Sequence, residues 1–333
     1  MTSYFRILLA LLVAVSHINV RVFGYNEGVW AVSIFYILAG HVIQRIFFSF
    51  GKIPLTSSLK IYFTDRLLRI FPLYLVIITL TALFLIVTNY GDPHFSPLNV
   101  ILNAIIVPLN YYMYDQPYIE ILRKDHWWLN PPSWSLGAEL QAYAILPVLI
   151  LSPYYVRVAV LITSLAVYSA ASLELIHSDY FGYRLLPGVL FFFISGAILE
   201  RILHGKATFA ERFTLLFTYI FLLFWLIYVV CLKGIKGAYT VETTLGFLIG
   251  IPLIYVLLKI KERVKVPFSH FASGLSYAIF LVHFPLIWVL DFITGSIPSP
   301  LIVVLCSLIS SAILTVAVDM PMFKVRKSLI NRH

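Results

Sequence analysis

Apolar residues in this chain come in blocks of about twenty, with the polar residues gathered between them. A helix needs roughly 20 apolar residues to cross a bilayer, and blocks of that kind fall at 5–22, 29–49, 70–88, 133–152, 156–174, 183–203, 211–231, 240–260, 271–290 and 298–319. Lipid offers no partner for backbone N–H and C=O groups, so each block must close its own hydrogen bonds as a helix. The pattern predicts an all-α fold, a polytopic transmembrane helical bundle of about ten spans. One shorter run, 97–109, sits in a polar and aromatic segment from about 89 to 132. It is read as re-entrant or interfacial, not as a crossing.

Basic residues orient the spans. They cluster at Lys52, Lys60, Arg66 and Arg69; at Arg201, Lys206 and Arg212; at Lys259, Lys261, Arg263 and Lys265; and at Lys324, Arg326, Lys327 and Arg332. The positive-inside bias puts all four clusters in the cytoplasm. Ten crossings satisfy this with both termini cytoplasmic and 89–132 as an outer loop. Lys233 and Lys236 fall on the outer side as exceptions to the bias.

Composition removes the soluble alternative. With 61% hydrophobic and 12% charged residues in 333, there is too little polar surface to cover a soluble globule. The first apolar run lacks a small-residue cleavage site, so it is expected to remain as a span and not to be removed as a signal peptide. The net charge of +9 lies in the cytoplasmic clusters and calls for no nucleic acid. Cys231 and Cys306 both lie in apolar runs, which suits small buried hydrophobes and neither a metal site nor a disulfide framework. No repeat or long linker divides the chain. The expectation is a single membrane-embedded domain over 1–333, surrounded by lipid in the cytoplasmic (inner) membrane, with no appended soluble domain; a homo-oligomer is compatible with it.

Ionisable groups inside apolar runs are costly and mark function. Arg6 and His17 share the first run, and on one helix His17 would lie about 16 Å beyond Arg6 at 1.5 Å per residue. Arg66 and Arg69 stand three apart and share a helix face. Guanidinium forks grip phosphate bidentately, so the pair suits a nucleotide-like donor and equally a lipid headgroup anchor. Ser135 and Glu139 stand one helical turn apart. A glutamate there can orient a histidine or receive a proton, or can simply reach interfacial water. His283 lies about 18 Å along its helix from the inner end, a depth like that of His17, and two histidines at matching depth favour a shared polar cavity. Tyr111, Tyr112, Tyr114, Tyr118, Trp127 and Trp128 in the outer segment form either an interfacial aromatic belt or a platform for an acceptor.

These residues carry a resemblance. Arg6 and His17 with ten residues between them, AVSIFYILAGHVI, DRLLRIFPLY, SWSLGAELQAYAILP, SYAIFLVHFPL and Asp319 with Pro321 occur in that order. They resemble the motifs of the acyltransferase-3 family of integral-membrane acyltransferases, similar to GVxLFFVLSGFLI, RxxRIxPxY, WSLxxExxFYxxxP and SYxIYLxHxPL. Ala39, His41, Ser33 and Ala142 depart from those patterns without removing a proposed catalytic group. The resemblance implies an O-acyltransferase. It would move an acyl group, most simply acetyl, from cytoplasmic acyl-CoA to a hydroxyl of a saccharide or lipid-linked glycan at the outer face. His17 is implied as base or acyl carrier, with Glu139 and His283 assisting. Arg6, Arg66 and Arg69 are implied to hold the acyl-CoA co-substrate, and Trp134, Ser135 and Tyr277 to contact substrate, with no metal. The alternative from another class is a proton-coupled transporter or flippase of a glycolipid or small solute, which would also need intramembrane histidines and carboxylates. A silent scaffold for polysaccharide assembly is a third reading, and the intact set of ionisable residues argues against it.

Overall fold

Residues 2–51, 53–233, 238–263 and 267–331 are described by a computed structural model. Lys52, Lys236, Lys265 and Arg332, named above, lie outside them. The helices in chain order are α1 Thr2–Ser16, α2 Glu27–Ser49, α3 Leu55–Thr88, α4 Pro97–Ile105, α5 Tyr112–Ile119, α6 Ser133–Leu151, α7 Tyr154–Ser172, α8 Leu186–Leu203, α9 Phe209–Lys233, α10 Thr240–Arg263, α11 Ser269–Thr294, α12 Pro300–Leu314 and α13 Met320–Asn331. Among the described residues, nine helical stretches are long and apolar enough to cross a membrane. The chain is an all-helical, polytopic membrane protein.

Two elements, α1 and α3, differ in detail from the pattern of apolar blocks, while the 97–109 run does not cross, as expected. The first block yields a helix of 15 residues, Thr2–Ser16, and His17 lies one residue past its end. Asn19 takes a left-handed φ of 61°, which asparagine tolerates and a continuing helix does not. Helix α3 has 34 residues and so rises about 51 Å, well beyond a hydrocarbon core of roughly 30 Å. Its first half carries Asp65, Arg66 and Arg69. The 97–109 run gives only the nine-residue α4, about 14 Å long and too short to cross.

The chain forms two compact units. One comprises Met1–Thr2, Arg21–Lys52 and Ala138–Lys265, and the other Ser3–Val20, Ile53–Gly137 and Val266–His333. The first unit is built on α2 and α8, which approach backbone to backbone. A Cβ on Gly40 would stand 1.8 Å from the Phe193 carbonyl oxygen, and one on Gly196 would stand 1.9 Å from that of Ile37. Small residues permit this approach in membrane helices, where packing and not hydrophobic exclusion holds helices together. Gly196→Ala must push the two helices apart. The expected result is a loss of about 1–3 kcal/mol in stability, read as a lower unfolding midpoint of the detergent-solubilised protein by tryptophan fluorescence.

Prolines inside spanning helices leave carbonyls without a donor four residues earlier. Two of these are recapped by side chains from other segments. Pro252 frees the Leu248 carbonyl, and the Tyr219 hydroxyl donates to it at 3.1 Å. Pro285 frees that of Leu281, which accepts from Asn130 Nδ2 at 2.8 Å. Two buried carboxylates of the first unit are paired: Arg157 Nη2 donates to Glu211 Oε1 at 2.8 Å, with Arg201 Nε 2.9 Å from the same oxygen, and His41 Nδ1 lies 2.9 Å from Glu200 Oε2.

Candidate active site

The second unit brings His17 and His283 together. Their rings stack with centroids 5.3 Å apart and planes inclined by 23°. The Tyr4 hydroxyl donates to the Pro267 carbonyl at 3.0 Å, so α1 lies along α11 in the same direction, touching it near both of its ends. This puts Arg6 towards the start of α11 and His17 beside His283. Phe284 packs edge-on against His17 at 5.0 Å, and Trp127 packs against Phe284 at 5.8 Å.

The two histidines sit in different surroundings. His17 is exposed, whereas His283 is fully buried, at 0%. His283 Nδ1 stands 3.0 Å from the Ile279 carbonyl of its own helix. A carbonyl only accepts, so Nδ1 carries the hydrogen and Nε2 keeps a lone pair. That Nε2 is buried without a hydrogen-bond partner among the described residues. The pair thus presents one accessible imidazole and one basic nitrogen held in fixed orientation beside it.

Buried asparagines fix the segment around the pair. On α4, Asn99 and Asn103 stand one turn apart. Asn99 Nδ2 donates to the His94 and Glu120 carbonyls, each at 2.9 Å. Asn103 Nδ2 donates to Ile119 at 2.8 Å, while its Oδ1 accepts from the Leu129 N–H at 2.9 Å. Asn110 Nδ2 reaches the Trp134 carbonyl at 3.2 Å. Asn130, already capping Leu281, ties the same segment to α11 two residues before His283. Sequence reasoning passed over these four; the signal present was the i, i+4 pair Asn99 and Asn103 on an otherwise apolar stretch.

At the far end of the same unit the arginines of α3 meet carboxylates. Arg66 donates through Nε and Nη2 to Asp65 Oδ2. Arg69 donates through Nη1 to Asp319 Oδ1 at 2.6 Å and through Nη2 to the Ser273 carbonyl at 2.8 Å, and its guanidinium lies 5.3 Å over the Tyr277 ring. Tyr277 in turn donates to the Ile70 carbonyl at 2.9 Å. Both arginines are therefore fixed in place, Arg69 directly against α11.

Of the remaining candidates, Ser135 Oγ donates to the Pro132 carbonyl at 3.0 Å, a bond within the first turn of α6. Trp134 is buried at that turn. Glu139 belongs to the first unit, where it is half-buried and accepts the Tyr143 hydroxyl. The structure thus groups His17, His283 and Phe284 at one level of α11, and Arg66, Arg69 and Tyr277 nearer its start.

A family model described as an acyltransferase domain matches residues 3–320. An uncharacterized protein of Aquifex aeolicus (strain VF5) is 52% identical over 167 residues, which is 50% of this chain and 74% of that protein. No solved structure matches the chain. The family match spans both units and every candidate residue above, and the chain belongs to the acyltransferase-3 family of membrane acyltransferases.

Proposed function

We propose that the protein is an O-acyltransferase that takes an acyl group, most simply acetyl, from acyl-CoA and passes it to a hydroxyl of a saccharide or lipid-linked glycan. One distance supports this reading above the others. Ser273, which holds Arg69, and His283, which stacks on His17, are ten residues apart on α11, about 15 Å at 1.5 Å per residue. The arm of acyl-CoA between diphosphate and sulfur has about as many chain bonds as four residues of peptide, and four extended residues reach roughly 14 Å. Phosphates gripped at Arg66 and Arg69, with Arg6 at the same end, leave the thioester level with the histidine pair.

His17, accessible and apolar-flanked, then removes the acceptor hydroxyl proton as the oxygen attacks the thioester carbon, or first carries the acyl group itself. The new C–O bond forms, the C–S bond breaks, and the proton leaves with the coenzyme A sulfur. His283 Nε2, with its lone pair free, stabilises the protonated His17 ring or relays its proton. Trp127, at 36% exposure and one ring beyond Phe284, gives the acceptor an aromatic face. Ser135 and Trp134 remain proposed contributors through the first turn of α6.

The test is transfer of label from radiolabelled acetyl-CoA to membrane glycans or lipid-linked saccharides, run beside a binding titration with coenzyme A. Replacing Arg66 and Arg69 by alanine should weaken coenzyme A binding about tenfold or more, the scale of a lost charged hydrogen bond. Unchanged donor affinity in the double variant would overturn the phosphate role. No binding of any acyl donor by the intact protein would overturn the enzyme reading in favour of transport.

A further inference from the structure

Helix α13 is strongly basic, with Lys324, Arg326 and Lys327 within four positions. Its Arg326 turns back into the second unit, where its Nε donates to Asp65 Oδ1 at 2.7 Å. Asp65 therefore sits between two guanidinium groups, Arg326 on one oxygen and Arg66 on the other. With Arg69 on Asp319, three arginines meet two carboxylates among the described residues. All five side chains are largely buried, from 7 to 16% exposed.

Arg326 uses only its Nε edge, and neither of its terminal nitrogens makes a hydrogen bond among the described residues. A guanidinium held along one edge with its fork unbonded is prearranged for a dianion such as a phosphate monoester.

We propose that Arg326 binds the 3′-phosphate of the coenzyme A donor and sets the preference for coenzyme A over its 3′-dephospho form. This rests on the donor reading above. Coenzyme A carries two anionic groups, a diphosphate in line with the thiol arm and a monophosphate on the ribose, set off from that line. Arg69 is the arginine bonded to α11, along which the arm runs, so it takes the diphosphate with Arg66. Arg326, bonded to Asp65 of α3 and to no residue of α11 among the described residues, takes the monophosphate. Asp65 acts as the positioning residue that aims both Arg66 and Arg326. Lipid headgroups offer the same phosphate chemistry but no such pair of groups, so the two sources separate by ligand.

The experiment is isothermal titration of the full chain in detergent with coenzyme A and with 3′-dephospho-coenzyme A, for the intact protein, Arg326→Gln and Arg326→Lys. The intact protein should prefer coenzyme A by about tenfold or more. In Arg326→Gln the two ligands should bind alike, with the dephospho form held within about twofold of its original affinity, the usual limit of additivity for a contact it never made. Arg326→Lys should retain part of the preference, since it keeps the charge and loses the fork. The preference is a ratio within one preparation, so a reduced folded fraction cancels, and Arg326→Lys decides the matter if the glutamine variant does not fold. No preference in the intact protein, a preference untouched by either substitution, or equal weakening of both ligands would overturn the proposal, the last showing a structural or headgroup-anchoring role. Failure of both ligands to bind the intact protein would instead remove the donor reading itself.

Discussion

His17→Ala should lower the rate of acyl transfer by about 10²–10⁴-fold, the range expected when a positioned acid–base group is removed, while coenzyme A binds with unchanged affinity. The separation of the two effects follows from where His17 stands. It lies one residue beyond the last residue of α1 and is exposed, and its partner His283 is ten residues, about 15 Å, along α11 from the Ser273 that holds Arg69. Exposed substitutions of that kind usually shift stability by no more than about 0.5 kcal/mol. Its neighbour makes the contrast: His283 is fully buried and bonded to its own helix, so His283→Ala would lose packing as well as chemistry. Single-turnover transfer measured beside donor binding tests this. A variant with near-normal turnover would remove His17 from the reaction; one that lost donor affinity in step with turnover would make it a binding residue instead.

The helical, membrane-spanning character of the chain was legible because it depends on run length and hydropathy, which are local. The closeness of His17 and His283 was suggested by their matching depth along two apolar runs, where the expectation was a shared polar cavity and the structure has stacked rings. The end of α1 was not legible, because a single left-handed Asn19 stops a helix whose apolar run continues through it. The arginine end of the site was half legible. The i, i+3 spacing gave Arg66 and Arg69 a common face, yet their partners Asp319 and, through Asp65, Arg326 lie about 250 residues away. Asn130 shows the same limit from another side. A proline in a spanning helix signals a freed carbonyl, but nothing local says that the cap for Leu281 comes from 151 residues earlier. Pairings across such separations arise from the fold, and the residues concerned read in sequence as ordinary loop or tail polar groups.

Glu211 tests the opposite case, a buried ionisable residue whose role is structural. It is 0% exposed in the first unit, where its Oε1 meets both Arg157 and Arg201 and its Oε2 accepts from the Thr208 N–H at 2.9 Å at the start of α9. Arg157, 54 residues earlier at the start of α7, also donates to the Leu149, Ile150 and Ser152 carbonyls where α6 ends, so one carboxylate and its two arginines tie together the ends of α6, α7, α8 and α9. Glu211→Ala should destabilise by about 3–5 kcal/mol, since deleting one partner strands the other charge in a buried place. Glu211→Gln should cost less, because it keeps the shape and a hydrogen-bonding oxygen while losing the charge. Thermal unfolding in detergent checks both. The folded fraction of either variant should turn over acyl donor at the normal rate per molecule, since none of the groups proposed for the chemistry is bonded to Glu211. A defect in turnover at full folding would mean that the first unit's charge cluster acts in the reaction, whereas loss of folding with normal specific activity fixes its role as the staple of four helix ends.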